Sequence, residues 1–183
     1  SEFELFAIKV SKEAGTLLSS YFGKVDVLST KSTEIDLLTE ADLKSEKIII
    51  TAIQSTYPEH DIVTEESDIG NRNSDYCWII DPLDGTTNFV HKLPIFAVSI
   101  ALQYKGQTVV ACVYNPAYNQ CFHAIKNGGA FLNKKPIHVT SCNTLSESLL
   151  VTGFPYIHDE RWSLSFDLFQ DLYSRNHGIR RLG

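Results

Sequence analysis

The chain has 183 residues, 43% of them hydrophobic and 11% aromatic, which suits a compact protein with a core of its own, as one domain or a large part of a bigger one. Its formal net charge of −6 makes it a poor match for nucleic acid or an anionic membrane, so neither direct nucleic-acid binding nor a membrane role is expected. Its four cysteines, Cys77, Cys112, Cys121 and Cys142, include no C-x-x-C pair and are read as reduced, mostly structural thiols of a cytoplasmic protein.

The N-terminal stretch SEFELFAIKVSKEAG shows helical periodicity and lacks the basic start and apolar stretch of a signal peptide. Methionine is absent even at position 1, which suggests a trimmed or partial chain. Leu5, Ile8, Leu17, Leu18, Tyr21 and Phe22 predict a helix over 5–22 that Gly23 ends. Residues 24–38 are polar and irregular, a loop or a short hairpin. Thr39 can cap the next helix, with Asp42 three positions on in a capping-box place, and Leu43, Ile48, Ile49, Ala52 and Ile53 are expected on its buried side. Pro58 lies just past its end.

From residue 61 the pattern changes. DIVTEE reads as a short strand leading into acids, and DYCWIID (75–81) as a denser strand that also ends on an acid. DGTTNFVH (84–91) looks like a helix start with Asp84 as its N-cap. FAVSIALQY, TVVACVYN, NQCFHAI, AFLN and KPIHV follow, divided by KGQ, NPAYN, NGG and NKK, which predicts an antiparallel meander. Within it, the apolar run 93–104 is too short to span a bilayer. LSESLLVTGF adds a strand, and residues 159–175 a helix with Trp162, Phe166, Phe169 and Leu172 on one side. HGIRRLG opens a last strand, expected to lack the element it should pair or pack with. This order predicts an α+β layered fold.

Two acid clusters carry the chemistry: Glu65-Glu66 after a strand, and D-P-L-D-G-T-T-N-F from Asp81 to Phe89. Asp81 at a strand end and Asp84 at a helix start can aim at one point, and the Leu83 carbonyl between them can turn toward it. Such hard oxygen ligands suit Mg²⁺ or Mn²⁺ better than zinc. The N–H groups of Gly85 and Thr86, at a helix N-terminus, favour a phosphate oxygen, and Gly85 permits close approach. Each piece alone has an ordinary structural explanation: D-x-x-D as solvated acids or a cap, Glu65-Glu66 as a surface pair, T-T-N as a helix opening.

Together they resemble a known pattern. WIIDPLDGTTNFVHKLPIFAVSIAL (78–102) is closely similar to the signature segment of the inositol monophosphatase family. STEIDLLTEADLKSEK (32–47), HDIVTEES (60–67), NGGAFLNKKPIHVT (127–140), SLLVTGFP (148–155) and HGIRRLG (177–183) resemble further family segments in the right order, so the resemblance covers essentially the whole chain. It implies a layered α-β-α sandwich of the sugar phosphatase type. It also implies that Glu65, Asp81 and the Leu83 carbonyl bind a first Mg²⁺. Asp81 would bridge to a second ion that Asp84 also binds, with two or three ions in an intact enzyme. Asp84, Gly85 and Thr86 would contact the substrate phosphate, and Thr86, aided by Asp42 or Glu65, would orient the attacking water. Lys31 matches a loop lysine near the site and is as readily a solvated charge. His91 is expected to end or pack the helix rather than bind metal.

Thr64 stands where many members have Gly, and no W-D-x-A-A-G segment is present, whose aspartate completes the second metal site. The expectation is therefore that residues 1–183 form the N-terminal metal- and phosphate-binding part of such a domain, truncated before that segment, with C-terminal layers missing and activity reduced. The resemblance implies a Mg²⁺-dependent phosphomonoesterase acting on inositol 1-phosphate or a related polyol phosphate, Li⁺-sensitive and homodimeric. Alternatives within the superfamily are fructose 1,6-bisphosphate, histidinol phosphate or a 3′-phosphoadenosine nucleotide. Outside catalysis they are a protein-binding role in transcription, or a metal-free structural homologue.

Overall fold

The computed structural model describes residues 1–24, 27–30, 37–64, 68–69, 73–154 and 160–182; for 27–30, 37–38, 68–69 and 160–161 it describes the backbone alone. Helix α1 spans Glu2–Tyr21 and opens with a capping box, in which the Ser1 hydroxyl accepts the Glu4 N–H at 3.2 Å. Strands β1 (Val27–Thr30) and β2 (Leu37–Thr39) pair antiparallel, so the polar segment after α1 is a hairpin. Helix α2 (Glu40–Thr56) starts on Thr39, and the expected capping box with Asp42 is present.

Eight strands form the central sheet: β3 (Asp61–Thr64), β4 (Asp68–Ile69), β5 (Tyr76–Asp84), β6 (Ala97–Tyr104), β7 (Gln107–Asn115), β8 (Gln120–Ile125), β9 (Gly129–Leu132) and β10 (Lys135–Ile137). Their spatial order is β10-β9-β8-β7-β6-β5-β3-β4. Only β3 and β5 run parallel; β6 to β10 form the antiparallel meander that the turn residues predict. Asn127, Asn133 and Lys134 take the positive φ values that tight hairpins need. Between β5 and β6 lies helix α3 (Thr86–Val90), which His91 caps at its C-terminal end as expected.

Helices α1 and α2 cover one face of this sheet. Trp78, Ile80, Val98, Ile100, Leu102, Val110 and Cys112 alternate along the strands to meet them and are buried. The helix faces differ from the expected stripes. On α1 the buried line is Ala7, Val10, Ser11, Ala14, Gly15 and Leu18, while Leu5 is 68% exposed. On α2, Ile49 and Ile53 are buried and Leu43 is exposed. Small residues win on α1 because the helix lies close on the sheet: a Cβ at Gly15 would stand 2.6 Å from the Tyr114 ring.

The chain continues through a 3-10 turn at Leu145–Glu147 into β11 (Leu149–Val151), helix α4 (Glu160–Tyr173) and β12 (Gly178–Arg180). β12 does find a partner: it pairs parallel with β11, with α4 as the crossover. On α4, Trp162, Phe169 and Leu172 are half-buried, whereas Phe166 is exposed and stacks on Phe154 at 4.6 Å between ring centroids. The architecture is thus α+β, as the element order predicts. No helix among the described residues is long and apolar enough to cross a membrane.

Candidate functional site

The site is built on an irregularity in β5. Asp81 pairs with Ser99 and Asp84 with Ala97, so three steps along β5 match two along β6 and the strand bulges between the two acids. Pro82 has no N–H to offer the ladder and fits that bulge. Its carbonyl accepts the hydroxyl proton of the fully buried Ser45 on α2, at 2.7 Å. Asp81 Oδ1 accepts the Leu83 N–H at 3.2 Å, which tightens the turn. Both carboxylates therefore sit on a backbone fixed from below by α2.

Asp84 is not the helix cap. The strand runs through it, and Gly85 takes the N-cap place with φ +85°. A side chain there would bring Cβ to 2.9 Å from the Ile95 carbonyl oxygen, so glycine is required on two counts. Sequence preference favours Asp as an N-cap, but the left-handed conformation moves the boundary one residue on.

Thr86 opens α3 and joins the two halves of the site. Its Oγ1 lies 3.1 Å from Asp42 Oδ1 and 3.0 Å from the Leu83 carbonyl oxygen, two acceptors for one proton. Asp42 is 1% exposed. Its Oδ2 accepts from the Thr39 N–H at 2.9 Å and the Thr39 hydroxyl at 2.5 Å. One carboxylate thus caps α2 with one oxygen and presents the other to Thr86. The burial of Asp42 is tolerable because these bonds are made.

At the end of β3, the Thr64 hydroxyl donates to Glu46 Oε1 at 2.6 Å, which ties the residue before Glu65 to α2. Glu65 and Glu66, and Lys31 with them, lie outside the described residues. Beside Asp84 and Gly85 opens a cavity of about 340 Å³ whose walls include Phe96, Asn115, Gln120 and Phe122. Ser45, Glu46, Asn115 and Gln120 were not picked out from the sequence. Ser45 had one usable signal, since it lies one helical turn after Asp42 on the same face of α2.

Among the described residues no three His, Cys, Asp or Glu side chains are grouped so as to hold a metal ion. Asp81 and Asp84 supply two carboxylates and Leu83 a carbonyl; the expected third carboxylate, Glu65, is the one not described. The donors are all oxygen, a set that fits Mg²⁺.

A sheet covered by two helices, with paired acids on a bulge and a glycine-opened helix beside them, defines an α+β class of protein with an oxygen-rich candidate site at one strand end. The family model described as the inositol monophosphatase family matches residues 1–183, and the chain belongs to that family. It is 40% identical over 180 residues to the Nus factor SuhB of Pasteurella multocida, covering 97% of this chain and 67% of that protein. It is 42% identical over 171 residues to an inositol-1-monophosphatase of Synechocystis, covering 93% of this chain and 60% of that one. Among solved structures, the suhB protein of Bartonella henselae superposes with a TM-score of 0.93 at 34% identity, covering 100% of this chain and 71% of that one. The Thermotoga maritima IMPase gives 0.91 at 32%, covering 100% and 69%. The chain thus spans between 60% and 71% of the length of these relatives. Family membership supports phosphatase chemistry and metal dependence in general terms.

Proposed function

We propose that this chain carries the metal- and phosphate-binding part of a Mg²⁺-dependent phosphomonoesterase acting on inositol 1-phosphate or a related polyol phosphate. The observation that carries the reading is the Thr86–Asp42 hydrogen bond beside the Asp81–Asp84 bulge. A hydroxyl whose proton is held by a buried carboxylate has its lone pairs free to accept from a water. Thr86 can thereby orient that water toward a phosphorus atom, with Asp42 holding the hydroxyl in place.

Asp81, Asp84 and the Leu83 carbonyl, with Glu65, would hold the metal. Bound there, Mg²⁺ supplies charge stabilisation for the phosphoryl oxygens and lowers the pKa of a coordinated water. The remaining work belongs to the chain. Gly85 leaves room for a phosphate against the backbone, the amides that open α3 offer donors, and Asn115 and Gln120 give the adjoining cavity polar groups suited to a polyol. The same reading carries a cytoplasmic homodimer that Li⁺ inhibits.

Phosphate release from inositol 1-phosphate across a Mg²⁺ titration tests the proposal, with Asp84→Asn as the control. Release that rises with Mg²⁺ and disappears in the variant is expected. Release indifferent to both, or none in a chain that also fails to bind Mg²⁺, would overturn it. A second reading rests on the relatives named Nus factor: a protein-binding role in transcription, in which partner capture survives Asp84→Asn.

A further inference from the structure

Cys112 on β7 and Cys121 on β8 stand on neighbouring strands, one diagonal step apart: Cys112 lies opposite His123, and Cys121 opposite Tyr114. Both side chains point toward α1 and are 1% and 2% exposed. Their sulfurs are 3.7 Å apart. Diagonal cross-strand pairs are commonly too wide to bridge. Here the sulfurs already touch, and an S–S bond of about 2.05 Å needs each to move by less than about 1 Å.

One further feature bears on this pair. The contact is polarised. Either thiol can donate in this contact, and the shared proton holds the Cys121 thiol below its usual pKa and the Cys112 thiol above it; the Ser11 hydroxyl lies 3.4 Å from the Cys112 sulfur. Buried apolar surroundings normally raise both thiols and leave them inert.

We propose that Cys112 and Cys121 form a peroxide-sensitive dithiol that closes to a disulfide, a modification site separate from the phosphate site. The Cys121 thiolate attacks one oxygen of hydrogen peroxide. The O–O bond breaks, hydroxide leaves and takes up the proton that Cys121 released, and Cys121 becomes a sulfenic acid. The Cys112 sulfur then attacks the Cys121 sulfur, the S–O bond breaks, and water leaves with the Cys112 proton. Two thiols are oxidised by two electrons in all, and one peroxide is reduced to two waters.

The bond would draw β7 against β8. Val113 and Phe122 stand opposite each other on the reverse face of those strands and form one wall of the cavity beside Asp84. Closure is therefore expected to reach the substrate side of the sheet as well.

The test uses the chain with Cys77→Ser and Cys142→Ser, so that only the pair can react. After hydrogen peroxide treatment, tryptic peptide 106–126, which contains both cysteines, is expected to lose two hydrogen masses, resist alkylation and recover with dithiothreitol. Cys112→Ser should stop at a Cys121 sulfenic acid that dimedone captures, while Cys121→Ser should leave Cys112 unoxidised. The proposal is overturned if a folded chain keeps both thiols alkylatable, gains oxygen instead of losing hydrogen, or forms the bond only in urea.

Discussion

The helix-covered sheet and the β11-α4-β12 unit are built from similar residues and differ in what those residues touch. Every residue of the hydrophobic core cluster lies between Ala7 and Cys121, with Ile125 as the last that packs against it. Beyond residue 140 no described side chain is buried, and Leu149, Val151, Leu164, Phe166, Leu168 and Tyr173 are all exposed. A βαβ unit normally hides both faces of its strands. Here a parallel pair and its crossover helix are held by local aromatic stacking, and the Asn88 side chain donates to the Leu182 carbonyl at 2.6 Å. Stability therefore resides in the first region, and the second reports little of it.

The largest effect should come from removing the centre of that core. Trp78 is fully buried, and Trp78→Ala is expected to lower unfolding stability by about 3–5 kcal/mol. Leu164→Ala, on the exposed side of α4, should change it by no more than about 0.5 kcal/mol. Urea denaturation of the two variants checks the contrast directly; equal losses would erase it. Next is Gly15→Val, which pushes carbon atoms into the Tyr114 ring and Pro116 and should cost about 1–3 kcal/mol by overpacking. A repacked, equally stable variant would show that α1 can lift from the sheet.

Asp42→Ala tests the seam between fold and site. It removes the acceptor for the Thr39 N–H and the Thr86 hydroxyl, and should cost about 1–3 kcal/mol while also reducing Mg²⁺-dependent phosphate release. Thr39→Ala removes the cap and one hydroxyl donor to Asp42 but leaves the carboxylate beside Thr86, and should cost about 1 kcal/mol. Comparing phosphate release by the two, after correction for folded fraction, separates the carboxylate's place beside Thr86 from its place in the helix. Identical losses would assign Asp42 to capping only.

What the sequence made legible was local. The Thr39–Asp42 capping box, the Asn-marked hairpins and the strand order of the meander depend on a few neighbouring residues, and they stand where expected. What it hid depends on distant partners. The buried face of α1 is a line of Ala, Ser and Gly because of Tyr114, about a hundred positions away, and hydropathy cannot show that. The Asp84 boundary moved because Ile95 and Phe96 crowd Gly85. The Thr86–Asp42 contact spans 44 positions, and only the resemblance to a family placed those two residues in one site.

The smallest prediction concerns the edge of the core, where pH enters. The Trp78 indole N–H donates to His60 Nδ1 at 3.1 Å, so the His60 ring is neutral there and carries its proton on Nε2. The ring stacks between Tyr57, at 4.9 Å, and Tyr76, at 4.6 Å. Burial lowers its pKa, with the Asp61 carboxylate opposing. The unfolded chain, with a histidine pKa of about 6.5, then binds a proton more readily than the folded one. The stabilising contribution is fully present above that value and is lost as pH falls through the folded pKa below it. Protonation also sets an N–H against the indole N–H and breaks the bond. Urea midpoints measured between pH 7.5 and pH 5 should fall with pH, and His60→Phe should flatten that part of the slope which His60 contributes. The level of stability in the variant is secondary, since Trp78 loses its acceptor in either case. A slope unchanged by the substitution would place the acid sensitivity elsewhere and leave the aromatic edge as packing alone.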